Sequence, residues 1–294
     1  MGKPLRAGPK PALTLRSLDE ESLGEASRLL SVAFHGGESL APTWEAEIGR
    51  DLATCCLEGG LSLVARHEGE IVGVTLVSRC SSTQLRVTAS GVHPDHRRRG
   101  IALSMLSRLV ELGRGEGVEE LWLEVGAEND AAICLWTSLG FMVTHRLVDL
   151  RASRRDFRPR SPHSGLTVRR ATVRDVLAHH EVFHAVRPSW SRAPARLLSL
   201  ARELTTLELV EGEERRAYLL LRGMRIEDLG VEAGGLEFVG PLLEAAFRRH
   251  AVLHLPIWPE EDPLTIELLT RGFVPLGASL EMKLMIPRSP PPCE

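Results

Sequence analysis

Several things are scarce in this chain, and each scarcity closes off a class of function. The 294 residues include five cysteines. Cys55, Cys56, Cys80, Cys134 and Cys293 show neither the paired spacing of a metal site nor a disulfide framework, and they read as reduced thiols of a cytoplasmic protein. Lysine is nearly missing: arginine supplies the basic charge apart from Lys3, Lys10 and Lys283, a compositional bias rather than a functional signal. Net charge is −3, which gives no overall pull toward nucleic acid or a membrane surface. No apolar run reaches membrane-spanning length, and Met1–Leu13 lacks the charged-then-apolar order of a secretory signal. The remainder, 43% hydrophobic and 26% charged, can bury one large core or two ordinary ones.

The chain contains a copy of itself. Leu13-Thr14-Leu15-Arg16 returns as Leu166-Thr167-Val168-Arg169, and Arg86-Val87 with Gly91-Val92 returns as Arg225-Ile226 with Gly230-Val231. Leu121–Val125 matches Leu253–Ile257, and Gly140-Phe141 matches Gly272-Phe273. Four matches in one order argue for duplication. The expected layout is a domain over 12–150, an Arg/Pro/Ser-rich linker over 151–164 and a second domain over 165–287. In the first copy a strand at Leu13–Arg16 precedes a helix through Ala26, Leu29, Leu30 and Ala33, and a second helix is expected over Pro42–Leu57. A hairpin follows, turning at His67–Glu70. Next come a strand over Leu85–Val92, a helix, a strand over Glu120–Val125 and a helix over Asn129–Leu139, and a last strand, Met142–Leu150, closes the domain. This order predicts an α/β fold with a mixed, partly parallel sheet and helices on both faces.

The stretch from Val92 to Leu103 carries the strongest chemical signal. A strand end is followed by a polar turn, then Arg97-Arg98-Arg99-Gly100, then an apolar helical repeat of Leu103, Leu106, Leu109 and Val110. Gly100 permits a tight turn, successive N–H groups converge, and the new helix directs its positive dipole end to the same point. That layout suits an anion; a solvated basic patch is the plainer alternative.

The Arg97-x-x-Gly100-x-Ala102 pattern resembles the acetyl-CoA pyrophosphate loop of the GNAT superfamily of N-acetyltransferases. Downstream, Leu121-Trp122-Leu123-Glu124-Val125, then Asn129, Ala132, Leu135-Trp136 and Leu139-Gly140-Phe141, resemble its fifth strand and following helix. The resemblance implies two acyl-CoA N-acyltransferase-like domains, acetyl-CoA as acyl donor, a primary amine of a small molecule or peptide as acceptor, and no metal. It assigns Ser90, Gly91 and Val92 to backbone contacts with the pantetheine arm. Arg97, Arg98, Arg99, Gly100, Ile101, Ala102 and Leu103 go to the pyrophosphate. Asn129 contacts the coenzyme as well as capping its helix, and Trp136 packs against the coenzyme arm or the core.

Glu124 alternates with Leu123 and Val125, so it faces away from their apolar side of the sheet. A carboxylate there suits a general base, and the ribosomal-protein alanine N-acetyltransferase branch carries its catalytic glutamate on a Leu-Glu-Val strand; a surface-facing glutamate is the alternative. One position departs from the pattern. Many members place a tyrosine where Trp136 stands, and an indole donates a hydrogen bond but cannot protonate a thiolate. Cys134 and Ser138 share that helix, with nothing to favour either as the acid.

The second copy reads as degenerate. Glu232-Ala233-Gly234-Gly235-Leu236-Glu237-Phe238 is too short for the loop and acidic, Pro256 replaces Glu124, and Glu261 replaces Asn129, so it is expected to bind no acetyl-CoA. His93, His96, His179, His180 and His184 show no metal-ligand spacing, and solvated or capping roles are expected. His35-Gly36-Gly37-Glu38 is a candidate specificity loop. Two rival readings stand beside the transferase: a non-catalytic acyl-CoA-binding or regulatory protein, and an RNA-associated protein using the basic linker and the Arg97–Arg99 patch. Nothing in the sequence decides between monomer and homodimer.

Overall fold

The computed structural model describes residues 13–35, 57–159 and 165–287. The helix expected over Pro42–Leu57 (Leu57 apart), the Gly36-Gly37-Glu38 connector, the end of the linker, and Cys55, Cys56 and Cys293 lie outside the described residues. Two compact units form. One takes the described residues as far as Glu124, with Cys134–Met142 and 283–287; the other takes Val125–Ile133 and Val143–Met282.

In the first unit, β1 (Thr14–Ser17), β2 (Leu63–His67), β3 (Glu70–Arg79), β4 (Gln84–Val92) and β5 (Glu120–Gly126) lie in that order across the sheet. Neighbours are antiparallel until β4 and β5, which run parallel. The β2–β3 turn is the expected hairpin, with both Glu68 (φ 54°) and Gly69 (φ 92°) in the left-handed region that matches the twist of paired strands. β3 is buried along almost its whole length because helices cover both sheet faces. On one face α1 (Leu23–His35) sets Ala26, Leu29 and Leu30 against Val64, Val74, Leu76 and Ala89. On the other, α2 (Ile101–Gly115) sets Ile101 and Met105 against Ala65 and Val72.

The second unit repeats the plan. Its strands are β6 (Met142–Ser153), β7 (Leu166–Arg170), β8 (Thr205–Glu211), β9 (Glu214–Arg222), β10 (Arg225–Val231), β11 (Val252–Pro259) and β12 (Val274–Met285), in the order β12-β6-β11-β10-β9-β8-β7. Again one pair, β10 with β11, is parallel. Between β5 and β6 lies α3 (Asp130–Ser138); short α4 (Val173–Leu177) and α5 (Pro194–Ser199) follow β7, α6 (Val239–Phe247) follows β10 and α7 (Pro263–Thr270) follows β11. The core gathers α6 residues Leu242, Leu243 and Ala246 with Leu219, Leu229, Leu253 and Phe273. Each repeated sequence pair falls on corresponding elements, and Gly140 (φ 92°) and Gly272 (φ 97°) both turn the chain out of a helix in the left-handed conformation.

The closing strands differ from expectation. The strand expected over Met142–Leu150 runs on to Ser153, into the stretch read as linker, and from Val143 it belongs to the second unit, where it pairs antiparallel with β11 (Leu255↔Leu150, Val252↔Ser153). In the first unit residues 283–286 lie beside β5 instead: Ile286 N–H donates to Glu119 O at 2.8 Å, and Lys283 Nζ stands 3.5 Å from Glu120 Oε1. A strand has no sequence mark for which of two similar sheets it joins. No described helix is long and apolar enough to cross a membrane.

Candidate active site

The parallel pairing of β4 with β5 covers Gln84↔Glu120 to Val87↔Leu123 and ends there. On its other side β4 stays on β3, with Thr75↔Ser90, Val74↔Gly91 and Gly73↔Val92. The break coincides with a β-bulge: Leu76 opposes Ala89 and Val77 opposes Val87, so Thr88 is the extra residue. A bulge bends the strand that carries it, and here it turns β4 away from β5. The β4 edge from Thr88 to Val92 therefore offers backbone groups to a guest in the cleft. Gly91 lets α1 pack closely: an added Cβ would meet Ala33 Cβ at 3.0 Å and Leu30 Cδ2 at 3.3 Å, both on α1. Ser90 Oγ is 3.0 Å from Thr75 Oγ1.

The arginine loop follows directly. Arg98 (φ 60°) and Gly100 (φ 77°) are both left-handed, and such alternation in a short loop turns successive N–H groups to one side. α2 then begins with no side-chain cap and no acidic residue in its first turn. Its first intrahelical bond is Ser104 N–H to Gly100 O at 2.9 Å, so the N–H groups of Ile101, Ala102 and Leu103 have no partner within the helix. The three arginines divide their work. Arg97 folds back, donating from Nε to Val92 O (3.2 Å) and from Nη2 to Ala33 O (2.9 Å), and so ties the strand end to the last turn of α1. Arg99 braces the loop through Asp95 O at 2.9 Å, and Arg98 stands exposed.

Glu124 lies on β5 one residue past the last paired position. Its Oε2 accepts from Arg86 Nη2 at 2.6 Å, and both side chains are 12% exposed. Its Oε1 is buried without a hydrogen-bond partner, as is Thr88 Oγ1. The sequence marks Arg86 only as part of the repeat and Thr88 not at all, although they alternate on β4 as Trp122 and Glu124 do on β5. Along the same strands Glu120 Oε2 accepts from Gln84 Nε2 and Trp122 Nε1, each at 2.9 Å. Thus Ser90–Val92 and Arg97–Leu103 meet at one strand end, with Glu124 where the neighbouring strand parts from it. Asn129, in the other unit, caps α3 by accepting from Ala132 N–H at 3.2 Å. Trp136 is 6% exposed and packs edge-on against Phe141, with ring centroids 5.2 Å apart. Ser138 Oγ is spent on Leu135 O, and Cys134 is exposed.

In the second unit, β10 and β11 are in register at Arg225↔His254 alone. Beyond that point a buried arginine enters. Arg192 donates from Nη2 to Pro256 O (2.6 Å) and from Nη1 to Ile257 O (2.7 Å), and its guanidinium lies 5.0 Å from the Trp258 ring centroid. Beside it Asp228, fully buried on β10, accepts from Tyr218 Oη at 2.7 Å. Burial opposes charge on Asp228, and the facing His184 and His180 overcome it, holding its carboxyl well below the usual carboxylate range. Burial, with Asp228 alongside, pushes the Tyr218 phenol well above its ordinary value. The histidine expectation is corrected here: His180 and His184 are buried around Asp228 because β10 carries that carboxylate into the core. His93 does accept from Asp95 N–H as a cap, and His179 Nδ1 lies 2.8 Å from Arg215 Nη1.

A sequence profile described as Acetyltransferase (GNAT) family matches residues 26–141. N-alpha-acetyltransferase RimI of Mycobacterium tuberculosis is 40% identical over 132 residues, covering 44% of this chain and 78% of that protein. The [ribosomal protein bS18]-alanine N-acetyltransferase of Escherichia coli K12 is 48% identical over 50 residues, 17% of this chain; the match spans only 34% of that relative's length. Among solved structures, a tandem GNAT protein from the clavulanic acid biosynthesis pathway superposes with a TM-score of 0.69 at 16% identity, covering 95% of this chain and all of that one, a likeness of fold alone. The chain belongs to the GNAT acetyltransferase family.

Proposed function

We propose that the first unit binds acetyl-CoA and transfers its acetyl group to a primary amine. The observation that carries this reading is the cleft opening at Thr88 and leading into the uncapped start of α2. An extended acyl-pantetheine arm pairs with the free β4 edge at Ser90–Val92, and the pyrophosphate sits on the N–H groups of the Arg98–Leu103 turn. Arg98 adds a charge-assisted contact to phosphate oxygen. Asn129 and Trp136 stay as secondary candidates for coenzyme contact. Attack requires a neutral amine, so the ammonium must lose a proton before the acetyl carbonyl is reached. Glu124 takes it: Arg86 fixes one carboxylate oxygen and leaves Oε1 to face the amine. Trp136 cannot protonate the leaving thiolate, and on this reading the proton comes from water. Both relatives are named for N-acetyl transfer, one of them to alanine of a ribosomal protein, and this supports a peptide α-amine as the first acceptor class to test.

The second unit, on this reading, holds no coenzyme. Arg192 fills the gap between β10 and β11 by donating to the β11 carbonyls, and acidic Glu232 follows β10 in place of the arginines. A panel of peptide and small-molecule amines with acetyl-CoA and thiol detection tests the transfer. Tight coenzyme binding with no turnover on any amine would favour a coenzyme-binding regulator. Calorimetry tests the division of labour, with one acetyl-CoA per chain expected; two would refute it.

A further inference from the structure

The buried group around Asp228 has more donor atoms than hydrogen bonding uses. His180 Nε2 lies 3.5 Å and His184 Nε2 3.4 Å from Asp228 Oδ2, and the ligand atoms of all three residues fall within 4.8 Å of one another. Hydrogen bonds to a carboxylate close to about 2.7–2.9 Å when the partner is charged, so these two contacts are long for that purpose. They match the edge of a tetrahedron whose metal–ligand bonds are about 2.0–2.1 Å, which is about 3.4 Å. A second, independent observation concerns His180. Its side chain is 6% exposed, yet Nε2 has no hydrogen-bond partner and is aimed at the carboxylate. A buried ring nitrogen left idle costs on the order of 1–3 kcal/mol, and a bound cation removes that cost.

We propose that His180, His184 and Asp228 hold one zinc-class divalent cation inside the second unit. Two imidazoles and one carboxylate are a borderline-soft donor set that suits Zn2+, whereas Mg2+ and Ca2+ call for oxygen ligands. The surroundings supply what such ligands need. Tyr218 Oη donates to Asp228 Oδ2 at 2.7 Å and so orients that carboxylate. Arg192 Nε stands 3.8 Å from the opposite carboxylate oxygen, Oδ1, and its guanidinium donates to Ser189 Oγ and to the Pro256 and Ile257 carbonyls. Entry is provided by a cavity of about 340 Å3 that His184 lines together with Val231, Ala233, Leu236, Asp262 and Leu264. The site is separate from the transfer chemistry proposed for the first unit; the ion pins the segment after α4 to β10.

The full chain, stripped with chelator and titrated with Co2+, reads the site directly. The expected result is one equivalent bound, with the visible d–d bands of tetrahedral cobalt, displaced by one equivalent of Zn2+. His180→Gln with His184→Gln removes the bands, and Tyr218→Phe weakens zinc by about 10–100-fold, as loss of an orienting partner does. X-ray absorption of the zinc-loaded wild-type protein then shows two imidazoles in the first coordination sphere, a readout needing no variant should the double substitution fail to fold. Absence of cobalt bands in the wild-type chain, or a zinc sphere without imidazole, overturns the proposal. Acetyl-CoA binding by the first unit is unaffected by either outcome, so the two readings fail separately.

Discussion

The same cleft exists twice in this molecule, open in one unit and filled in the other. In the first, β4 and β5 hold register for four residue pairs and separate at a bulge, leaving backbone edges and an uncapped helix start. In the second, β10 and β11 separate after Arg225↔His254, and Arg192 is laid across the exposed carbonyls. Parting two strands strips each of hydrogen bonds, and a buried carbonyl without a partner is costly. Either solvent and a guest satisfy those groups or the protein does so itself. A guanidinium with five donors is the compact internal solution, and adopting it closes the channel.

The comparison is sharpened most by Glu124→Gln. If Glu124 is the base, kcat/KM falls by about 10^2–10^4 while acetyl-CoA affinity by calorimetry is unchanged; full retained activity removes the assignment. Arg192→Met is next. It takes the guanidinium from the Pro256 and Ile257 carbonyls and from beside Asp228, which keeps His180 and His184, and urea unfolding should show a loss of about 3–5 kcal/mol, the scale for breaking a buried pair. A variant as stable as wild type would mean that the filled cleft is not held by its arginine. Gly100→Ala places a side chain at φ 77°, a cost of about 1–2 kcal/mol, and should weaken acetyl-CoA by roughly tenfold without shifting the unfolding midpoint of the second unit. The smallest effect concerns Glu208 of the second unit. Burial opposes its charge, but the guanidiniums of Arg169 and Arg215 donate to it and hold its carboxyl below the ordinary value. A carboxyl depressed by folding contributes stability above its unfolded pKa and loses it as pH falls through the lower, folded value. Wild type should therefore lose stability on acidification below pH 4.5, and Glu208→Gln should lose less over the same range, read from urea midpoints.

Much of this was legible in the sequence because it lives in local patterns. Gly100 followed by helical leucines marks the loop and the start of α2, and the alternation of Glu124 with Leu123 and Val125 marks which face it takes. The repeat is legible for the same reason, since Gly91-Val92 and Gly230-Val231 end corresponding strands. Long-range pairings were not legible. Arg86 reaches Glu124 across 38 residues, and Arg192 reaches Ile257 across 65, neither with a spacing that marks the meeting. His180 and His184 look like surface polars until β10 brings Asp228 between them. The exchange of closing strands is the clearest case, because β6 has the apolar alternation either sheet would accept.

That exchange bears on how the protein is made. The stretch 283–287 is the last of the described chain to leave the ribosome, yet it lies against Glu119 and Glu120 in the unit whose other parts emerge first. Domains emerging from the ribosome ordinarily fold in order from the N-terminus. Here the first unit stays incomplete until residues 283–287 have been made, long after its other parts.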